Sequence, residues 1–200
     1  IHKASVQLSV FLPNIFIMAR FSLIALLGSF LAGIAVAAPV PVKLDLVVRA
    51  NTTATGTFTE QAYADFQISD GVGGTAVDEA NAVFVDPFAG VDLSTVSSDT
   101  LDAINTMREA AESAETDDFD PQIDAATGAA ADALSVGKTK NKVLKLTGEI
   151  QAINIKIAQA QASGDDTSDL EDSLNAEQTK LNTNIAADKA NAGKTSQGVA

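Results

Sequence analysis

The sequence predicts an all-α protein: a helical bundle with a long C-terminal antiparallel helical hairpin. Apolar residues between Val143 and Ala160 recur every three or four positions, which is the spacing of one helix face. A short polar turn separates them from a second apolar stripe that ends at Ile185. The series of alternating strands and helices that a parallel sheet requires is missing from the sequence.

A secretory signal peptide is predicted near the start of the sequence. Met18 and Arg20 precede an apolar segment, and Ala37 completes a small-x-small site for signal peptidase. We expect cleavage after Ala37, no stable membrane anchoring after that cleavage, and an extracellular protein. In this interpretation, residues 1–17 are a non-native upstream extension and residues 18–37 are the signal peptide.

An extended leader is predicted over residues 38–56, since this segment contains two prolines and no helical period. Asn51 begins an N-x-[ST] sequon and is a candidate glycosylation site. Arg49 is a candidate processing point, with a plain tether as the alternative. A helical domain is predicted over residues 57–190, followed by a flexible tail over residues 191–200.

Helices in the first half of the domain are predicted from capping residues and apolar spacing. We expect a short helix over residues 60–68, a second over 75–85 capped by Thr75 and a longer one over 99–115. The Asp120-Pro dipeptide predicts the start of a further helix, because an N-cap acid and a proline at the first helical position are typical start signals.

The C-terminal hairpin is predicted from a regular apolar seam. Its members are Val143, Leu146, Ile150, Ile153, Ile157 and Ala160. Leu144 and Ile155 lie off the seam, so the first arm is expected to pack on two sides. Ser168 and Glu171 predict a capping box for the returning helix. The seam is typical of a core, with docking of a partner helix as the alternative.

Composition excludes several chemistries. The net charge is −13, cysteine is missing, and the one histidine is His2, upstream of the predicted cleavage site. Disulfides, zinc sites and histidine-based catalysis are therefore not expected. Seventeen acids and one base, Arg108, lie between residues 51 and 136, whereas residues 137–163 carry five lysines. This charge argues against nucleic-acid binding and predicts ion pairs between neighbouring helices.

Two motifs are candidate ligand sites. Residues 71–76 match the G-x-G-x-x-A dinucleotide pattern, with Asp92 about 20 residues further on, but the strand that should precede the motif is weak. A glycine turn between helices explains it better. The acidic residues 116–124 lack the glycine and glutamate of a calcium loop and suit a helix start. We therefore predict no catalytic, cofactor or metal residues, although a pair of glycosidase carboxylates stays open.

One region of the chain is similar to a known group of proteins. The segment Tyr63–Gly74, followed by Glu79-Ala80, Phe84 and Pro87-Phe88, resembles fungal small secreted proteins of the effector-like kind. The resemblance covers about residues 57–123. It implies an extracellular fungal protein and supplies no catalytic residues.

The predicted function is therefore that of a secreted, acidic, non-enzymatic helical protein that binds an unidentified protein partner. The alternative is a carrier of a small apolar ligand within the helix bundle, because the small side chains of residues 125–133 suggest a cavity.

Overall fold

A computed structural model describes residues 58–200 of the chain. The predicted upstream extension, signal peptide and leader, with the cleavage site at Ala37 and the sequon at Asn51, lie outside these residues. Among the helices of residues 58–200, none is both long and apolar enough to cross a membrane.

The described domain is all-α, as predicted, and it also contains one small antiparallel sheet that was not predicted. Short 3₁₀ turns at Asp86–Phe88 and Leu93–Thr95 and a π-helical segment at Ala114–Phe119 join the main elements. The main elements in chain order are α1 (Tyr63–Phe66), β1 (Gly71–Val72), α2 (Ala76–Phe84), α3 (Ser98–Ser113), α4 (Asp120–Ala125), α5 (Ala129–Ser163), α6 (Ser168–Ala190) and β2 (Thr195–Ser196).

Helix α5 is the centre of the domain, and α2, α3 and α6 all pack against it. It has 35 residues, which corresponds to a length of roughly 52 Å. Leu144 and Ile155 are fully buried although they lie off the seam, so the prediction that this helix packs on two sides is confirmed. The first four seam residues are buried, whereas Ile157 and Ala160 near the helix end are partly exposed. The seam therefore belongs to the core.

The hairpin turn follows the prediction except for its cap. Gly164 ends α5 with a φ of +78°, a left-handed conformation that favours glycine. Ser168 does not pair with Glu171, because its hydroxyl and its backbone N–H both donate to Asp166. The hydroxyl of Thr167, one residue earlier, donates to Glu171 instead. Neither Thr167 nor Ser168 accepts a bond from the first backbone N–H groups of α6, so the predicted capping box is wrong.

Tertiary contacts shorten the first predicted helix. Helix α1 covers Tyr63–Phe66 in place of residues 60–68, because the chain after Gln67 extends toward α5. There the Lys140 ammonium donates to the Asp70 carbonyl at 3.0 Å. Helices α2 and α3 lie within two residues of their predicted ends.

Helix α4 begins at Asp120 with Pro121 in its first turn, as predicted, but Asp120 does not cap a free helix end because the residue before it is already helical. The chain stays helical from α3 through the π-helical segment into α4. Phe119 is fully buried, and Glu115 pairs with lysines of α5, so both ends of this segment are held in place. A π-helical turn directly before the proline also relaxes the hydrogen-bond ladder that proline interrupts.

Residues 191–198 are folded, so the predicted flexible tail is wrong for most of its length. Strand β2 pairs with β1, and the Gln197 N–H donates to the Ala133 carbonyl of α5 at 3.0 Å. Two glycines make this approach possible. A Cβ on Gly73 would lie 2.6 Å from the Asn191 carbonyl oxygen, and one on Gly137 would overlap the Gln197 carbonyl. The segment has no apolar pattern in the sequence, because backbone hydrogen bonds to β1 and α5 hold it in place.

Candidate functional site

An open groove of about 530 Å³ lies between the chain around α1 and the C-terminal end of α2. This volume falls in the ~300–1,000 Å³ range of ligand sites. Apolar and polar side chains share the lining, namely Phe58, Phe66, Ile68, Ala82, Val83 and Pro87 with Thr59, Gln61, Asp65 and Gln67. We call this surface the α1–α2 groove.

Packed aromatic rings fix the walls of the groove. Phe58 lies 5.4 Å from Phe88 and 6.3 Å from Phe84, measured between ring centroids. Phe66 meets Phe84 at 6.1 Å and Tyr63 at 5.6 Å, both edge to face. Aromatic pairs stabilise by about 0.5–1.5 kcal/mol beyond the area they bury. The rings therefore join both walls into one unit.

The wall around α1 is tied to the core by a buried hydrogen-bond chain. The Tyr63 hydroxyl donates to the Asn141 side-chain oxygen at 2.8 Å, and the Asn141 amide donates to the Ala111 carbonyl at 2.7 Å. Burial raises the pKa of Tyr63 to about 12. The hydroxyl therefore stays protonated and remains a donor at physiological pH. These two hydrogen bonds link α1 through α5 to α3.

A buried lysine holds the segment that follows α1. Lys140 is fully buried, and its ammonium pairs with the Glu79 carboxylate at 2.7 Å as well as with the Asp70 carbonyl. The lysine is enclosed whereas the Glu79 side chain is 39% exposed, so the pair lies at the edge of the core. The Asp70 carboxylate accepts the Gly198 N–H and the Gln67 amide, and these two bonds lower the pKa of Asp70. Lys140 and Asp70 thus connect α5 and α2 with the C-terminal segment, residues 191–198.

The wall formed by α2 is capped from a distant part of the chain. The Asp188 carboxylate of α6 accepts the Gly74 N–H at 2.8 Å and the Ala76 N–H at 3.0 Å. Asp188 is only 1% exposed, and a carboxylate suits the positive end of a helix. The predicted cap at Thr75 is wrong, because the Thr75 side chain accepts no capping bond and its hydroxyl donates to Glu79.

A glycine in α5 allows α2 to approach closely. The ring of Phe84 lies over Gly148, where an added Cβ would come within 3.1 Å of two ring carbons. Both residues belong to the buried interior of the domain. The position of the second wall is therefore set by direct contact of a ring with the helix backbone.

The rim of the groove is negatively charged. Asp65 lines it and is exposed, and this carboxylate forms no ion pair within residues 58–200. Glu60 and Asp86 lie on the same two stretches of chain, whereas the sequence has no lysine or arginine between Phe58 and Met107. A ligand that enters the groove therefore meets the Asp65 carboxylate and no lysine or arginine from these segments.

Four of the five lysines of α5 pair with acids of other elements, which confirms the prediction of ion pairs between helices. The Glu115 carboxylate lies 2.9 Å from the Lys145 ammonium and 3.3 Å from that of Lys142. Lys138 contacts both Glu115 and Asp120. Burial acts to raise the pKa of Glu115, but the hydrogen bonds and charges of Lys145 and Lys142 outweigh it and lower the pKa.

The structure gives the predicted ligand motifs other roles. Residues 71–76 form β1 and a turn that holds the C-terminal segment, so the glycine interpretation is supported and extended. Asp92 lies in a separate turn, where it accepts the Ser94 N–H. Residues 116–124 lie in the π-helical segment and α4. In the described part of the chain, no three metal-binding side chains gather into a site.

The alanine-rich stretch lies mostly at the surface. Among residues 125–133, only Ala133 is buried, and the others are exposed or half-buried. These side chains therefore do not enclose the cavity that the sequence suggested. The groove was not predicted, although one signal for it exists: four of the nine phenylalanines fall between Phe58 and Phe88.

The fold and the site define an all-α domain with an open groove that combines apolar side chains with one exposed carboxylate, Asp65. The model of a family described as a domain of unknown function, DUF8454, matches residues 58–200, and the chain belongs to this family. The matched range includes the C-terminal segment that closes on β1. Neither the curated proteins nor the solved structures contain a match to the chain.

Proposed function

We propose that this protein is a secreted, non-enzymatic interaction protein that binds a protein partner through the α1–α2 groove. The observation that carries the proposal is the groove itself, with its apolar lining and two anchored walls. The signal peptide expected at residues 18–37 and the resemblance to fungal small secreted proteins support secretion.

The groove suits a segment of a macromolecule better than an enclosed small molecule. It is open along one side, so a ligand can extend beyond it onto the surrounding surface. Its walls are held by the Tyr63 chain and the Asp188 cap. A preformed surface loses little freedom when a partner binds, and more of the contact energy is kept as affinity.

Site-specific crosslinking tests this function. A photoreactive amino acid replaces Ala82, which is exposed and lines the groove, and the matched control carries it at Ala176, exposed on α6. The protein is irradiated in the culture or host material where it is produced, and adducts are identified by mass spectrometry. We expect a protein adduct at Ala82 that the control lacks. Identical adducts from both positions would contradict binding in the groove.

Secretion has a separate test. Mass spectrometry of the culture medium should find a mature chain that begins at Ala38 and carries a glycan on Asn51. A chain that is found in the cells and never in the medium would refute secretion and leave the groove result untouched. A catalytic turnover in the purified protein would refute the non-enzymatic assignment.

A further inference from the structure

We infer that the α1–α2 groove takes a partner segment in which an apolar side chain stands beside lysine or arginine. This inference rests on the proposed function and adds the chemistry of the partner. It follows from the joint presence of an apolar lining and an exposed carboxylate, Asp65, in one groove.

The two parts of the groove have different effects. Burial of an apolar partner side chain against Val83 and Pro87 provides the affinity, since burial of apolar surface is the main favourable term in association. The exposed Asp65 carboxylate sets the preferred charge. Complementary charge at a rim mainly selects partners and speeds their association.

Charge also favours a different protein over a second copy of this chain. The net charge is −13, so two copies repel each other. Several of its cations are already paired: Arg108 contacts three glutamates, Lys140 pairs with Glu79, and Lys180 pairs with Glu177. A cationic partner matches the groove better.

Peptide titration with groove variants tests the inference. Three fluorescent peptides of equal length are used, the first built from leucine and lysine, the second from leucine and glutamate, and the third from serine and lysine. Fluorescence anisotropy at physiological salt measures their affinity for the purified protein and for Ala82→Arg, Asp65→Asn and Ala176→Arg. Ala82→Arg blocks the groove, and Ala176→Arg adds the same charge on an exposed alanine of α6.

We expect the leucine–lysine peptide to bind most tightly. Ala82→Arg should weaken it by about tenfold or more, the loss of one well-buried contact. Asp65→Asn should weaken it by roughly two- to fivefold, as expected for one exposed charge pair. Ala176→Arg should leave the affinity within about twofold of the wild type.

Several outcomes would overturn the inference. These are equal binding of the leucine–glutamate peptide, an equal effect of Ala82→Arg and Ala176→Arg, or no binding by any peptide. A dimer that is seen by analytical ultracentrifugation and is lost in Ala82→Arg would assign the groove to a second copy. A crosslinked partner whose segment at Ala82 is acidic would refute this inference and leave the proposed function standing.

Discussion

Replacement of Asp188 by alanine should destabilise the domain and loosen one wall of the groove. The change removes the acceptor of the Gly74 and Ala76 N–H groups. Ala76 is fully buried, so its N–H is left without a partner, at a cost of about 1–3 kcal/mol. Gly74 is exposed and its N–H can bind water, so its lost bond adds about 0.5–1.5 kcal/mol.

The expected loss is therefore about 2–4 kcal/mol in the free energy of unfolding, measured by urea denaturation followed by circular dichroism. For a domain of this size, the melting temperature should fall by roughly 5–15 °C. Asp172→Ala, an exposed acid on α6, is the matched control and should stay within about 0.5 kcal/mol of the wild type. An Asp188 variant as stable as this control would refute the capping role.

Three further predictions concern the C-terminal segment and the lysine cluster. Gly137→Ala should lower the free energy of unfolding by about 1–3 kcal/mol in urea denaturation, because the new methyl group overlaps the Gln197 carbonyl. Helix propensity alone predicts that alanine raises it by about 1 kcal/mol, and such an increase would contradict the close packing at Gly137. Removal of residues 195–200 deletes β2 and should speed amide exchange in α5 near Ala133; unchanged exchange would mean that the segment does not protect α5. Glu115→Gln should lower the free energy of unfolding most above about pH 5. The pKa of Glu115 is lowered in the folded state, so its contribution to stability is present above the unfolded pKa of about 4.3 and is lost as pH falls through the folded pKa. Urea denaturation at several pH values measures this, and a loss of stability that grows at lower pH would refute it.

The sequence was informative where local pattern and burial agree. Helix α5 carries a periodic apolar seam, and Gly164 marks its end, so the hairpin could be predicted. The apolar seam begins at Val143, whereas the helix begins at Ala129, so the pattern marks only part of α5. The stretch around Lys140 and Asn141 is polar in sequence, yet both side chains are fully buried because each finds a partner from a distant element. Single-sequence patterns contain no record of those partners.

The C-terminal segment could not be predicted for a related reason. It is polar, and it is held by backbone pairing to β1 across more than 120 residues of sequence. Its main trace in the sequence is Gly73 and Gly137, which leave room for its backbone. A glycine in a sequence indicates that space is needed without indicating what fills it.

The groove could not be predicted from the sequence because it depends on how distant segments pack together. Its two walls come from separate segments, and their relative position is set by Asp188 and Phe84. Asp188 is one acid among 26, and nothing local distinguishes it from the exposed ones. The concentration of phenylalanines between Phe58 and Phe88 was the available hint, and it favours a core as much as a groove.

The most direct test of the account is the affinity of the protein for the partner segment identified by crosslinking at Ala82. The measurement compares the wild type with Ala82→Arg and Ala176→Arg by isothermal titration calorimetry. We expect Ala82→Arg to weaken binding by about tenfold or more and Ala176→Arg to bind as the wild type does. Equal affinity in all three proteins would contradict the assignment of the α1–α2 groove as the binding site.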